Sequence, residues 1–354
     1  MFEQEPPLIF EDRFAQRRNM AWRVEPGRLD TNNPLMVGEY PWDQSTPFYN
    51  GTVLKDPIDG LWKLWGIACA LYDGNDWGEW DQRMGYATSA DGVHWTRPML
   101  DGFPCLGRER SNVLLDFPDG GSCFQMSVLV DPDAKEAHRY EMFILRNPKY
   151  KNPSGRIKDL PDPSSHKWGV YRYFSSDGIA WKAVEGPLAI ESADSLFVYK
   201  DIGAPYVAFH KFEPVTPPGS AYVPHDCAAG SLRTIVRRDS PDGSSWSDPP
   251  LPVVVPDWRD AHDAQCMDCG PLKHGRGYIA TVPIFHGLNQ MMDIQFAGSP
   301  DGRKWFRPIP RVPCVGTSAL GDCGGGHLFQ SHSLVEDDGQ VHLYYFAGEG
   351  LHAD

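Results

Sequence analysis

Short apolar runs of five to eleven residues recur in pairs along the whole sequence, separated by turns rich in Gly, Pro and Asp. The first pair covers residues 48–56 and 61–71, and the second covers residues 123–131 and 139–146. Runs of this length, rich in Val, Ile, Tyr, Phe and Trp and bounded by turn-forming residues, are typical of β-hairpins. The pattern predicts an all-β chain whose helices are few and short.

A seven-residue segment of the form Ser-x-Asp-Gly-x-x-Trp occurs four times. It begins at Ser89, Ser175, Ser240 and Ser299 and ends at Trp95, Trp181, Trp246 and Trp305. Asp-Gly supplies the positive φ of a tight turn, the Ser and Asp side chains can accept from the turn amides, and the Trp packs back as an anchor. We therefore expect four equivalent hairpin turns, whose tryptophans are structural.

Five strand pairs combined with four such turns predict a five-bladed β-propeller that forms a single domain over residues 1–354. We expect residues around 21–29 to add a strand that closes the ring. The predicted blades cover approximately residues 39–98, 108–184, 190–249, 258–308 and 313–354.

Composition narrows the class of protein. The 354 residues include 35 Gly and 32 Pro, and 47 acidic against 33 basic side chains give a formal net charge of −14. Nucleic acids and anionic membrane surfaces select faces rich in Lys and Arg, so neither is an expected partner. No run of about 18 apolar residues predicts a membrane span.

Targeting and cysteine usage point to the cytoplasm. The first residues are acidic and lack the apolar region of a signal peptide, although a periplasmic or secreted protein would look the same once its leader had been removed. The eight cysteines are scattered through the chain, which favours reduced thiols over a disulfide framework.

The repeated turn resembles a sialidase Asp-box shortened by one residue, and the five-blade pattern resembles the glycoside hydrolases of families 32, 43, 62, 68, 117 and 130. The greatest similarity is to bacterial proteins related to the family 32 N-terminal domain. The segments that carry this similarity are residues 8–12, 41–43, 51–56, 129–134, 191–197, 260–268 and 343–346. The resemblance implies a glycosidase acting on an oligo- or polysaccharide.

Such enzymes use two carboxyl groups, one to protonate the leaving oxygen and one to activate water or attack the anomeric carbon. The resemblance places the base or nucleophile in the first blade and the acid in the third. Asp43, in Pro-Trp-Asp, and Glu191 occupy those places, with Glu39 and Asp194 as their rivals. We favour inversion, because carboxyl groups on opposite sides of a small propeller cavity leave room for a water.

Further residues are candidates for substrate contacts. Each of these side chains can hydrogen-bond a sugar hydroxyl or stack on a sugar ring, or else belongs to a turn or the core: Trp42, Asn112, Asp194, Asp263, Asp268 and His332. In family 43 proteins a histidine at the place of His332 touches a central water or calcium.

No cofactor is expected, and calcium in the acidic stretch 257–269 is the alternative that the sequence leaves open. Cys266-x-x-Cys269 is half of a zinc site without a second pair at a suitable spacing. The sequence leaves two functional alternatives, a glycan-binding propeller without catalysis and a glycoside phosphorylase or transferase.

Overall fold

The computed structural model describes residues 23–70, 82–115, 122–147, 169–190, 195–213, 232–332 and 334–352. These residues are almost entirely strands and turns, with one short 3-10 helix at Glu136–His138. No helix among them is long and apolar enough to cross a membrane. The chain divides into two compact units, one of residues 30–197 with 337–340 and one of the remainder.

The first unit contains two antiparallel sheets in which successive strands pair in chain order. The first sheet is β1 (Thr46–Lys55), β2 (Trp62–Cys69), β3 (Gln82–Ser89) and β4 (Trp95–Thr96), with β5 (Val113–Leu115) also pairing with β3. The second sheet is β6 (Ser122–Val130), β7 (Tyr140–Asn147), β8 (Gly169–Ser175) and β9 (Lys182–Glu185). Thr52 joins the two sheets, because its Oγ1 donates to Met126 O at 3.1 Å and accepts from Val128 N at 3.0 Å.

Two further sheets have the same order. The third is β10 (Leu196–Lys200), β11 (Tyr206–Phe212), β12 (Thr234–Ser240) and β13 (Leu251–Val254). The fourth is β14 (Ala264–Cys266), β16 (Gly277–His286), β17 (Met291–Ser299) and β18 (Pro313–Val315), with β15 (Gly270–His274) also pairing with β16. Each of the four sheets is a blade of an all-β propeller fold.

The prediction of five blades is wrong for the described residues, which form four. The last strands make two separate ladders, β19 (His327–Gln330) with β22 (Tyr345–Gly348), and β20 (Val335–Asp337) with β21 (Gln340–His342). The sequence of this segment lacks a Ser-x-Asp-Gly-x-x-Trp turn, the element that joins the third and fourth strands in each of the four sheets. The predicted closing strand is also not formed by residues 23–29, where Gly27 N makes one bond to Cys314 O at 2.7 Å.

The four Ser-x-Asp-Gly-x-x-Trp segments share the same Ser and Asp hydrogen bonds, three of them also share the indole bond, and all four lie between the third and fourth strands of their blades. In the first, Ser89 Oγ accepts from Gly92 N at 2.9 Å, and Asp91 Oδ1 accepts from the amides of residues 93 and 94. The Trp95 indole donates to Gly92 O at 3.0 Å. Side chains thus satisfy the turn amides that no strand pairs.

Two of these turns are also held by the preceding blade. Trp65 Nε1 donates to Gly178 O at 2.7 Å, and the indole nitrogen of Trp181 consequently has no partner among the described residues. In the other unit, buried Arg237 donates to Gly302 O at 2.7 Å and to Ile202 O at 2.6 Å. The turns therefore contribute to contacts between blades as well as within them.

Candidate active site

Three of the residues singled out from the sequence meet in the first unit. Trp42, Asp43 and Asn112 are all buried, with at most 1% of their surface exposed. The Trp42 indole donates to Asn112 Oδ1 at 2.8 Å, and Asn112 Nδ2 donates to Tyr86 O at 2.8 Å. Trp42 and Asn112 therefore support the core, where an indole face is not open for a stacked sugar.

Asp43 is held in the turn that precedes β1. Its Oδ1 accepts from the backbone amides of Glu39 at 2.9 Å and Tyr40 at 2.7 Å, and its Oδ2 accepts from Arg97 Nη1. The ion pair compensates the cost of burying the carboxylate. Because its side chain is 0% exposed, Asp43 can reach a substrate only if the groups around it move.

Arg97 connects the buried carboxylate to an exposed one. Its Nη2 donates to Val37 O at 3.0 Å and to Glu39 Oε2 at 3.1 Å, and its guanidinium lies 5.0 Å from the Tyr40 ring centroid. The Glu39 side chain is 61% exposed, whereas that of Asp43 is 0% exposed. The two candidate bases thus share one guanidinium but differ in their access to solvent.

The strand that follows Asp43 is irregular. Phe48 and Asn50 have φ values of 64° and 46°, and the register of β1 against β2 shifts between residues 47 and 52. Asn50 Oδ1 is buried without a hydrogen-bond partner in the described part of the chain, as is Gln82 Oε1. Such outliers are concentrated at functional sites, which adds Asn50 and Gln82 to the candidates.

Glu191 and Asp194 lie outside the described residues. The strand after them, β10, is fixed at its start because Leu196 N donates to the side-chain oxygen of buried Gln125. Gln125 therefore fixes the start of β10, which follows the predicted acid by five residues in the sequence.

The second unit contains Asp263 at the start of β14. Its Oδ2 accepts from Leu288 N at 3.0 Å, and its Oδ1 lies 3.8 Å from His286 Nδ1. His286 Nε2 lies 2.9 Å from Asp293 Oδ2, and hydrogen bonding to Asp293 foremost raises the pKa of His286. His286 and Asp293 are not among the residues singled out from the sequence, although they flank the turn between β16 and β17.

His332 and Asp268 are core residues, each 3% exposed. The His332 ring stacks on Tyr199 with centroids 4.2 Å apart, and its Nε2 lies 2.7 Å from Val198 O. Burial lowers the pKa of His332 to about 4, so the imidazole is neutral at pH 7. This environment makes His332 a packed core histidine.

Cys266 and Cys269 lie buried in the second unit. Both thiols are free and buried, and burial raises the pKa of Cys266 to about 12 and that of Cys269 well above its usual range. Within the described ranges no group of three or more His, Cys, Asp or Glu side chains is arranged to hold a metal ion.

No family model matches the sequence, and no curated protein matches it. Among solved structures, the chain is similar to one from family 130. That structure was described with the finding that this family of mannoside phosphorylases contains glycoside hydrolases that target β-1,2-mannosidic linkages in Candida mannan. The TM-score is 0.58 at 15% identity, with 93% of each chain covered.

Two other solved structures have comparable similarity. A glycosyl hydrolase from Bacteroides ovatus matches with a TM-score of 0.56 at 14% identity, covering 93% of this chain and 92% of that one. A thermostable family 43 glycoside hydrolase matches with a TM-score of 0.54 at 12% identity, covering 88% and 95%. At these identities the similarity establishes the propeller fold that glycoside hydrolases use.

Proposed function

We propose that this protein is a carbohydrate-active enzyme that hydrolyses a glycosidic bond in an oligo- or polysaccharide. The observation that supports it is the likeness, over 88–93% of the chain, to glycoside hydrolases of more than one family. A shared fold alone leaves the chemistry open. The proposal therefore also rests on the carboxylates that precede β1 and β10.

Asp43 is the proposed base or nucleophile and Glu191 the proposed acid, with Asp194 as the rival acid. Hydrolysis requires one carboxyl group that gives a proton to the leaving oxygen and one carboxylate on the opposite side. Asp43 can take the second role once Arg97 turns towards Glu39, since Arg97 already contacts both carboxylates. If Arg97 does not move, exposed Glu39 is the better base.

The test is a hydrolysis screen of the wild type over plant and algal glycans and aryl glycosides, with the first product anomer followed by NMR. Asp43→Asn and Glu39→Gln are a matched pair, because both remove a carboxylate that contacts Arg97. Glu191→Gln and Asp194→Asn form the second pair. Circular dichroism and thermal unfolding show whether each variant retains its fold.

We expect Glu191→Gln and Asp43→Asn to lose at least 100-fold in kcat, on the order of an acid–base contribution, while Glu39→Gln and Asp194→Asn retain most activity. The reverse result in either pair moves the role to the rival residue. An inverted first anomer identifies attack by water, and a retained one identifies a covalent intermediate.

Two outcomes would replace hydrolysis by another function. Sugar release that depends on added inorganic phosphate would identify a phosphorylase, an activity named for the family 130 proteins to which the chain is similar. Saturable sugar binding without release across the whole panel would identify a glycan-binding propeller.

A further inference from the structure

Trp258 is the most exposed of the large apolar side chains in the described part of the chain, with 85% of its surface accessible. It lies in the loop of residues 257–263 that leads into β14. An exposed indole in a mobile loop would have no particular meaning. The loop that carries Trp258, however, is fixed on both sides.

Two ion pairs, of which the Arg307–Asp260 pair is buried, fix the first part of the loop. Arg307 binds Asp260 through its two terminal nitrogens, Nη1 and Nη2, with Nη1 2.7 Å from Oδ1. Both side chains are less than 5% exposed. Arg311 Nη2 lies 2.8 Å from Asp257 Oδ2. Paired guanidinium and carboxylate groups have directional geometry, so the backbone on both sides of Trp258 is oriented before any ligand arrives.

Asp263 fixes the end of the loop to the turn between β16 and β17. Its carbonyl accepts from Gly287 N at 3.1 Å and its carboxylate accepts from Leu288 N at 3.0 Å. Leu288 is itself 71% exposed. The indole thus belongs to a preorganised surface, and little conformational entropy is lost when a ligand covers it.

Arg259 adds a cation to this surface. Its guanidinium lies 4.7 Å from the Trp258 ring centroid, and its Nη1 lies 3.6 Å from Asp257 Oδ2, an oxygen that Arg311 already binds at 2.8 Å. A contact of 3.6 Å is longer than a hydrogen bond. Arg259 therefore keeps donors for an external acceptor beside the exposed ring.

We propose that Trp258 and Arg259 form a binding subsite for a sugar that carries a carboxylate, that is, a uronic acid residue of a glycan. The indole stacks on the C–H face of the sugar ring, and the Arg259 fork donates to the sugar carboxylate. This subsite rests on the proposed function for its ligand class. It adds an acidic substrate class and two residues on the fourth blade.

The experiment measures the affinity of the full chain, by calorimetry, for oligogalacturonates and oligoglucuronates and for the same oligosaccharides after carboxyl reduction. The variants are Trp258→Ala, Trp258→Phe, Arg259→Gln and Arg259→Lys. Leu320→Ala and Arg276→Gln are the controls, because they remove an exposed apolar side chain and an exposed cation elsewhere in the same unit.

We expect the wild type to prefer one of the acidic series to its reduced form by about tenfold, which is 1.4 kcal/mol. Trp258→Ala should weaken binding of both forms about tenfold and Trp258→Phe much less. Arg259→Gln should abolish the preference for the acidic form, with partial recovery in Arg259→Lys. The two control variants should bind as the wild type does.

The subsite is overturned if the wild type binds none of these sugars, binds acidic and reduced forms equally, or loses nothing in Trp258→Ala. It is also overturned if the wild type self-associates in ultracentrifugation and Trp258→Ala does not, since the surface would then be an interface between copies. Uronate binding through Trp258 without any hydrolysis would keep the subsite and reject the hydrolase. Hydrolysis of a glycan that the Trp258→Ala variant binds as tightly as the wild type does would keep the hydrolase and reject the subsite.

Discussion

Trp42 and Asn112 are separated by 70 residues in the chain, yet the indole nitrogen of one donates to the side-chain oxygen of the other at 2.8 Å in the buried core of the first unit. The side-chain nitrogen of Asn112 in turn donates to Tyr86 O. The pair therefore fixes the residue next to Asp43 against β3 and the segment before β5. Its contribution to stability can be measured directly.

Asn112→Ala should lower the free energy of unfolding by about 3 kcal/mol, because the Trp42 indole and Tyr86 O both lose their buried partner. Trp42→Phe removes the indole donor and some side-chain volume. A double-mutant cycle by urea unfolding should give a coupling energy of about 1 kcal/mol. Strictly additive losses would show that the hydrogen bond is energetically silent.

Gly178→Ala should destabilise the protein more than Gly60→Ala. The two glycines have nearly equal φ values, 75° and 76°, so both variants incur a left-handed strain of about 1–2 kcal/mol. A Cβ on Gly178 would also lie 2.9 Å from Trp65 Cζ2, whereas a Cβ on Gly60 meets nothing within 4 Å. Thermal unfolding should therefore show a clearly lower Tm for Gly178→Ala, and equal shifts would contradict the packing of the turn on Trp65.

The His286 ion pairs should stabilise the protein at acidic and neutral pH and not at alkaline pH. Asp293 and Asp263 both raise the pKa of His286 above its ordinary value of 6.5. A raised folded pKa gives stability that is fully present below pH 6.5 and is lost as pH rises through the folded pKa.

The measurement is the free energy of unfolding of wild type and His286→Gln at pH 5.5 and pH 9. The advantage of the wild type should be greater at pH 5.5, by about 1.4 kcal/mol for each unit of pKa elevation. A difference that does not depend on pH would mean that the imidazole does not titrate with its two carboxylates.

Two buried histidines should make the second unit sensitive to acid. His210 accepts a bond from Arg238 Nε at 3.3 Å and is therefore neutral at that nitrogen, and burial lowers the pKa of both His210 and His332 to about 4. Unfolding releases them to the ordinary value near 6.5, so stability falls as pH drops from 6.5 to 4, by about 1.4 kcal/mol per pH unit for each histidine.

His332→Gln should make this loss shallower, because glutamine does not titrate. Exposed His262→Gln is the matched control, because it removes a histidine at the surface of the same unit. Urea unfolding between pH 7 and pH 4 provides the measurement. Parallel curves for wild type and His332→Gln would contradict a neutral, buried His332.

The strands and the repeated turns could be predicted because their signals are local. Short apolar runs and Asp-Gly turns are recognised within about ten residues. The number of blades depends on which strands pair, and this is a non-local property. The C-terminal strand pairs misled the prediction for that reason, since β19 pairs with β22 while β20 and β21 pair with each other.

The candidate site also contains residues that local sequence patterns indicate and residues that they do not. Trp42, Asp43 and Asn112 could be chosen by residue type and position, but Arg97 could not, because it is 54 residues from Asp43 and stands in no motif. His286 and Asp293 lie on either side of the turn between β16 and β17, a pairing of neighbouring strands that is local in the sequence. Burial changed the interpretation of Trp42 and His332, and a residue's exposure is decided by packing rather than by its neighbours in sequence.

The two cross-blade contacts to the turn glycines have a consequence for blade exchange between propellers. Trp65 holds the turn of the next blade at Gly178, and Arg237 holds the turn of the next blade at Gly302. The segment that could be transferred between propellers therefore does not coincide with the sequence repeat. It must contain the donor side chain of one blade together with the acceptor turn of the next blade. A chimera cut at the boundary of the sequence repeat would separate the donor side chain from the turn carbonyl that it binds.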